Sequence, residues 1–339
     1  MNEENRKVPR RIAQTVLNSL KGGVVPRVGL PYITVGRKSE IEALLHDVDI
    51  LEEGGASFRF IVGRYGSGKS FLIQTIRNYV MDRGFIVADA DLSPERRLQG
   101  TRGQGLATYR ELISNLSTKT KPEGGALTLV LDRWISGVQS QALQETGLEP
   151  GSPALTQAVD QKIVAVTSAV SELVHGFEFA KLLSLYYHAY VEGEEEKKQR
   201  TVVPWVREVR HQAGGQGGAG RQHPHHRRQL VRVPQAFRRV FPPGSYAGMM
   251  IFIDELVNLY KIPNAITRQY NYEKLLTMYN DTLQARPGTW HRHGRHAPGH
   301  RGQAPGRLQL RGLRSRLAEG KFSRPGARDL LAPASAWTP

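Results

Sequence analysis

The fold of this chain can be inferred from twelve residues, FIVGRYGSGKSF, at positions 60–71. They contain the complete pattern G-x-x-x-x-G-K-[ST], in which glycines let successive backbone N–H groups curl around phosphate oxygens without Cβ clashes. An apolar run at 58–62 predicts a strand before the pattern, and the apolar spacing over 69–83 predicts a helix after it. A strand, a glycine-rich loop and a helix in this order predict a phosphate-binding loop at the helix N-terminus.

The loop predicts a site for ATP and Mg2+. Lys69 is expected to reach the β- and γ-phosphates, and the Ser70 hydroxyl is expected to ligate Mg2+. The alternative is a chance glycine-rich turn, but so restrictive a pattern in the required context favours nucleotide binding. The predicted nucleotide-binding residues of the loop are Gly63, Arg64, Tyr65, Gly66, Ser67, Gly68, Lys69 and Ser70.

A second stretch, MMIFIDEL at 249–256, predicts the other half of the site. Its apolar run predicts a buried strand that ends in Asp254 and Glu255, and α/β sheets bind their ligands at the carboxyl ends of strands. Asp254 would hold Mg2+ through water, and Glu255 would polarise the attacking water as a general base. An apolar strand that simply ends at the solvent is the alternative. The predicted catalytic residues are thus Lys69 and Glu255, and the predicted metal ligands are Ser70 and Asp254.

The surrounding pattern predicts an α/β fold. Another apolar run at 85–90 follows the helix, which completes a βαβ unit with a parallel sheet. Helical spacing dominates 106–190, more than one crossover needs, and predicts an inserted helical subdomain. We also expect a helix over 11–20, an extended stretch at 32–35, Ser39 as the N-cap of the next helix, a solvated charged run at 192–198 and a helix over 271–283.

The class predicted is therefore a P-loop NTPase with a parallel sheet flanked by helices, an inserted helical subdomain and irregular Arg/Gly-rich tracts. The predicted divisions are an N-terminal helical segment at 1–29, the first half of the P-loop core at 30–105, the helical insertion at 106–203, an abnormal Arg/Gly/His tract at 204–247, the acidic-strand half of the core at 248–284, an abnormal Arg/His/Pro tract at 285–312 and a C-terminal remnant at 313–339.

The net charge of +16 is concentrated in the two abnormal tracts, which carry +13 of it and contain no lysine. Arginine, glycine, proline and histidine without lysine are typical of GC-rich coding sequence translated out of frame. Shifting the frame by one nucleotide, with free choice of synonymous codons, permits an amphipathic helix in the first tract and an apolar strand in the second. We therefore hypothesise frameshifts in the gene, and the nucleotide sequence of codons 205–315 tests this: one intact frame would refute it.

Two functional explanations of the tracts stay open beside the frameshifts. Arg–Gly stretches bind RNA, although no aromatic residues interleave here to stack bases, and HPHH at 223–226 contains metal ligands, although its spacing matches no defined site. Elsewhere the absence of cysteine excludes disulfides and thiolate zinc sites. The charged N-terminus and the lack of a long apolar stretch predict no secretory signal and no membrane partner, so we expect a cytoplasmic protein.

With these residues assembled, the chain resembles the ATP-binding proteins associated with BREX bacteriophage-exclusion systems. The resembling segments include ITVGRKSEIEALL, GFIVADADLSPERRLQG, YAGMMIFIDELVNLYKI and LRSRLAEGKFSRPGARDLL, and most of the chain outside the abnormal tracts is covered. The resemblance also suggests that Gly36 and Arg37 lie near the adenine, since a similar V-G-R segment does so in initiator-like AAA+ ATPases. An ordinary strand-to-helix turn explains that segment equally well.

The resemblance implies an AAA+/initiator-like ATPase that acts against phage DNA within a larger assembly, with a homo-oligomer left open. It also implies a strand just after Gln284 that senses the γ-phosphate, where the second abnormal tract begins instead, and a chain longer than this one. We therefore predict a P-loop NTPase that binds ATP and also hydrolyses it. The alternatives are a nucleic-acid-binding or scaffolding subunit that uses ATP only as a structural ligand, and an inactive product of a frameshifted gene.

Overall fold

The computed structural model describes residues 8–26, 28–63, 66–100, 103–168, 176–207, 246–284 and 336–337. Their helices are α1 Arg10–Lys21, α2 Leu30–Ile33, α3 Lys38–Glu52, α4 Lys69–Asp82, α5 Gln104–Ser114, α6 Leu127–Thr146, α7 Pro153–Ser168, α8 Gly176–Val191, α9 Glu195–Arg207, α10 Val257–Tyr260 and α11 Ala265–Gln284. Their strands are β1 Val62–Gly63, β2 Ile86–Asp91, β3 Met249–Asp254 and β4 Ala336–Trp337. The chain divides into two compact units, Met1–Arg83 with Leu275–Pro339, and Gly84–Lys274.

In the first unit, the predicted N-terminal helix is confirmed as α1, and the segment that follows packs back against this helix. Gly29 has a φ of 82°, and a Cβ there would lie 2.6 Å from Cγ2 of Ile12, so only glycine fits. The extended stretch predicted at 32–35 is wrong in its first half, because α2 covers Leu30–Ile33. Gly29 caps that short helix and proline occupies its first turn, where its fixed φ suits a helix start.

Helix α3 follows this turn. The prediction of Ser39 as its N-cap is wrong: the helix begins at Lys38, and the Ser39 hydroxyl donates to Oε2 of Glu40 at 2.8 Å. On the inner face of α3, Asp47 is buried and accepts a hydrogen bond at 2.8 Å from Nη2 of Arg59, which fixes the segment before β1. The predicted strand at 58–62 is shorter than expected, since β1 covers only Val62–Gly63 and pairs in parallel with β4.

In the second unit, β2 and β3 form a parallel pair, as the two apolar runs predicted. The register runs from Ile86 opposite Met249 to Asp91 opposite Asp254. Alternate residues of β2, from Ile86 to Ala90, enter a hydrophobic core formed with α5 to α8, in which Trp134 is fully buried. A complete P-loop sheet remains a prediction, because the described strands form two separate pairs.

The predicted helical insertion is confirmed as helical and comprises α5 to α9. The prediction that the charged run at 192–198 is solvated is wrong for Lys198, which is buried within α9. Its ammonium lies 3.3 Å from both carboxylate oxygens of Asp132, 2.5 Å from Glu195 and 5.4 Å from the ring centroid of Tyr190. Tyr186 donates to the same Asp132 carboxylate at 2.7 Å. This network ties α6, α8 and α9 together.

Replacing Lys198 by alanine is expected to destabilise the chain. The change leaves Asp132 partly buried without its cation, and we expect a loss of about 2 kcal/mol in the free energy of unfolding. Chemical denaturation followed by circular dichroism measures it. Lys197→Ala is the matched control, because that neighbouring ammonium is exposed and pairs with the exposed carboxylates of Glu192 and Glu194. Equal effects of the two substitutions would contradict the role of the buried pair.

Burial lowers the pKa of the Lys198 ammonium, but the hydrogen bond to Glu195 and the charge of Asp132 raise it more, so the net pKa lies above the ordinary lysine value. The raised pKa therefore contributes stability at neutral pH, and this contribution is lost as the pH rises through the folded-state pKa of Lys198.

Within the described ranges, none of the helices has the length and apolar character required to cross a membrane. The abnormal tracts predicted at 204–247 and 285–312 and the remnant at 313–339 lie outside the described residues, except for 204–207, 246–247 and 336–337. The predicted divisions of the chain stay predictions.

Candidate nucleotide-binding site

The phosphate loop joins β1 to α4 in the first unit. Gly63 ends β1, and Gly66 and Gly68 both adopt left-handed backbone conformations with φ of 78°, which a Cβ would disfavour. Gly68 is the N-cap of α4 and forms no side-chain cap. The N–H groups of the first turn of this 14-residue helix are therefore not satisfied by a capping side chain, and the positive end of the helix dipole suits an anion there.

Lys69 and Ser70 are the first two residues of α4. Lys69 is half-buried and Ser70 is exposed, and their roles in phosphate and metal binding stay predictions. Arg64 and Tyr65 lie outside the described residues. The structure thus brings together Gly66, Ser67 and Gly68 with the two polar side chains at the start of the helix.

Arg37 contacts this loop directly. Its Nη2 donates a hydrogen bond to the carbonyl oxygen of Ser67, and its Nη1 lies 3.3 Å from the buried carboxylate of Glu40. A Cβ on Gly68 would lie 3.3 Å from Nη2, so the guanidinium fills the space beside the loop backbone. Gly36 has a φ of 74° and supplies the left-handed turn before Arg37. The V-G-R segment is therefore placed at the loop, while its contact with an adenine stays a prediction.

A separate acidic cluster lies in the second unit, at the carboxyl ends of β2 and β3. Asp254 is the last residue of β3 and stands in register with Asp91 of β2. Asp89 lies two residues before Asp91 and therefore faces the same side of the sheet, opposite the core-facing residues of β2. Sequence reasoning missed both β2 aspartates. Their alternation in the stretch ADAD was the available signal, since period-2 acids at a strand end share one face.

The carboxylates at this edge repel one another. Desolvation, followed by the charges of Asp254 and Asp89, raises the pKa of Asp91 above the ordinary aspartate value, and Arg96 only partly opposes this. Arg96 donates from Nε to the Asp91 carbonyl at 2.9 Å and lies 2.8 Å from the carboxylate of Glu111. A cation bound here would relieve the repulsion.

Glu255 has a strained backbone. Its φ is 58°, and among the described residues it is the one non-glycine residue with positive φ. This conformation costs a glutamate about 1 kcal/mol relative to the extended or right-handed regions. Its N–H donates to Oδ1 of Asp254 at 2.7 Å, and its side chain is exposed. Strain of this kind concentrates at functional positions, where surrounding contacts hold it.

Each unit contributes an oxygen donor of a kind that suits Mg2+ shared with a nucleotide. In the described part of the chain, no group of three His, Cys, Asp or Glu side chains is arranged to hold a metal ion. Mg2+ in nucleotide sites needs no such cage, because it takes one or two protein oxygens together with phosphates and water. The Ser70 hydroxyl and the Asp254 carboxylate are oxygen donors of that kind.

Comparison with known proteins identifies a family. Residues 8–336 are similar to the family described as "BREX system ATP-binding protein BrxC/D", and the matched range includes both the phosphate loop and the end of β3. No curated protein and no solved structure matches the chain.

Proposed function

We propose, because this chain belongs to the family of BREX system ATP-binding proteins BrxC/D, that it hydrolyses the ATP it binds. Family membership makes it an ATP-binding protein of BREX defence, and hydrolysis is the further step proposed. The observation that carries the proposal is the complete phosphate-loop pattern at the N-terminus of α4, which no side chain caps. The strained Glu255 at the end of β3 supports turnover in addition to binding.

Each candidate residue has a defined role in this proposal. The loop N–H groups and Lys69 bind the β- and γ-phosphates. Ser70 and Asp254 would hold Mg2+, which neutralises charge that develops on the phosphate oxygens. Glu255 accepts a proton from the attacking water, whose oxygen bonds to the γ-phosphorus as the bond to the β–γ bridging oxygen breaks. The products are ADP and phosphate.

Arg37 acts on the loop in this proposal. Because it donates to the Ser67 carbonyl, it fixes the orientation of that peptide group in the loop. Its ion pair with the buried Glu40 holds the guanidinium in that position. Its proposed contribution is therefore to pre-organise the loop, whether or not it also touches the adenine.

The fold and the setting are proposed on the same basis. A P-loop parallel sheet of the AAA+/initiator-like type is supported by the parallel pairing of β2 with β3 and of β1 with β4. The resemblance to BREX-associated ATPases supports a cytoplasmic protein that acts in an assembly on phage DNA, and a homo-oligomer is compatible with it.

Removing the metal is the experiment that tests hydrolysis. We expect the full chain to release phosphate from ATP in Mg2+, and EDTA to reduce the rate at least about 100-fold, because the γ-phosphate then loses its main source of charge neutralisation. Restoring excess Mg2+ should recover the rate and excludes damage by the chelator. ATP binding without any Mg2+-dependent phosphate release would contradict the proposal and favour ATP as a structural ligand.

A further inference from the structure

The turn after β3 is tied to the end of β2 by Asn258, a residue that no part of the proposed mechanism uses. Asn258 lies in the short helix α10 and is half-buried. Its side-chain Nδ2 donates to the carbonyl oxygen of Leu92 at 2.7 Å. Its backbone N–H donates to the carbonyl oxygen of Glu255 at 2.9 Å. One asparagine thus holds both the chain that follows β2 and the residue that follows β3.

A further hydrogen bond closes this arrangement around Glu255. The N–H of Leu92 donates to the carbonyl oxygen of Asp254 at 3.1 Å. The peptide groups on both sides of Glu255 are therefore anchored, the first by Leu92 and the second by Asn258. The left-handed φ of Glu255 is the conformation that connects the two anchors. The backbone anchor at position 258 does not depend on the side chain, but the Asn258 side chain holds Leu92, whose N–H makes the first anchor. Losing that side-chain bond would loosen the first anchor and let Glu255 relax toward negative φ.

The contact requires a hydrogen-bond donor on the side chain at position 258. A carbonyl oxygen can only accept, so the group facing Leu92 must be a donor, which identifies it as Nδ2. Aspartate has the same shape but no donor when ionised. It would also place another carboxylate near Asp91 and Asp254. Ordinary helix capping does not explain the contact, because Leu256 caps α10 and Asn258 bonds a residue on a different strand end.

We propose that Asn258 is a positioning residue for hydrolysis, which holds the Glu255 carboxylate where it can accept a proton from water. This inference rests on the proposed ATPase function and adds a residue to it. Asn258 acts through the backbone of Glu255, so its loss should lower kcat and leave the affinity for ATP unchanged. A substitution that merely loosened the fold would affect both in step with stability.

The test compares Asn258→Ala and Asn258→Asp in the full chain with a matched control, Asn264→Ala. Asn264 also bonds a backbone group, because its Oδ1 accepts from the N–H of Thr267 at 2.9 Å, but it lies beyond the site at the start of α11. We expect both Asn258 variants to lower kcat for MgATP about tenfold, with KM and the Kd for ATP within about twofold, since a small misplacement of a catalytic group is costly. Asn264→Ala should lower only the melting temperature.

A double substitution tests whether Asn258 acts through Glu255. In a Glu255→Gln background, adding Asn258→Ala should change the single-turnover rate less than about twofold, because the two residues act as one unit. An unchanged kcat in Asn258→Ala, or an equal fold loss in both backgrounds, would overturn the proposal.

Crystal structures separate this inference from the proposed function. If the wild-type chain binds ATP without hydrolysing it, the ATPase proposal fails on its own. The φ of Glu255 in Asn258→Ala then decides the positioning role: a return to negative φ supports it, and a retained left-handed conformation overturns it.

Discussion

Lys69→Ala should weaken ATP binding about 100-fold. The ammonium is the one side-chain charge that the phosphate-loop pattern places against the β- and γ-phosphates, and a charge-assisted hydrogen bond of this kind contributes about 3 kcal/mol, which corresponds to about two orders of magnitude in Kd. Isothermal titration calorimetry with ATP and Mg2+ measures the change. Because α4 begins at Lys69 without a side-chain cap, alanine preserves the helix start, and the fold should be unaffected.

The matched control for this experiment is Lys21→Ala. Lys21 is an exposed lysine at the end of α1, so the substitution removes the same charge from the same unit of the chain. Its Kd for ATP should equal that of the wild type. Indistinguishable affinities of the Lys69 and Lys21 variants would exclude the loop as the ATP site and would leave the family's ATP binding to other residues.

Glu255→Gln should abolish turnover while leaving ATP bound. Glutamine keeps the size of the side chain and the backbone anchors at Asp254 and Asn258, but it cannot accept a proton from water. General-base catalysis contributes at least about 100-fold, so we expect kcat to fall by that factor or more. The Kd for ATP should stay within about twofold, because Glu255 contributes nothing to phosphate binding in the proposed mechanism. Phosphate release and calorimetry on the same preparation give the two quantities.

Glu53→Gln serves as the control for the loss of a carboxylate. Glu53 is exposed at the end of α3, and its substitution should leave kcat and Kd unchanged. Unaltered turnover in Glu255→Gln, together with lost ATP binding in Lys69→Ala, would mean that ATP is held without being hydrolysed through this residue. That pair of results favours the hypothesis that the chain is a scaffolding or nucleic-acid-binding subunit.

The elements that the sequence predicts correctly are those encoded by local patterns of residue types. The apolar runs predicted strands at 85–90 and 249–253; β2 is shifted by one residue at both ends, and β3 is longer by one residue at its carboxyl end. The phosphate loop was found because its residue types and spacing are both restrictive. The prediction for Ser39 failed because a good capping residue is only a statistical preference. The N-cap is Arg37, two residues earlier, and its side chain contacts the loop.

What the sequence could not show are contacts between residues far apart in the chain. Lys198 looked solvated within a charged run because its partner, Asp132, lies 66 residues away. Asp91 acquires its significance only from its register with Asp254, and Asn258 from a bond to Leu92 across 166 residues. Register and side-chain pairing between strand ends depend on tertiary packing, for which a single sequence carries no periodic signal.

The left-handed backbone of Glu255 has a consequence for engineering this protein. Thermostabilising designs commonly place glycine or asparagine wherever φ is positive, because these residues relieve the cost of that conformation. At position 255 such a design would gain stability and discard the carboxylate. Selecting variants by melting temperature alone would therefore favour loss of the proposed activity. A library of stabilised variants should keep glutamate at position 255.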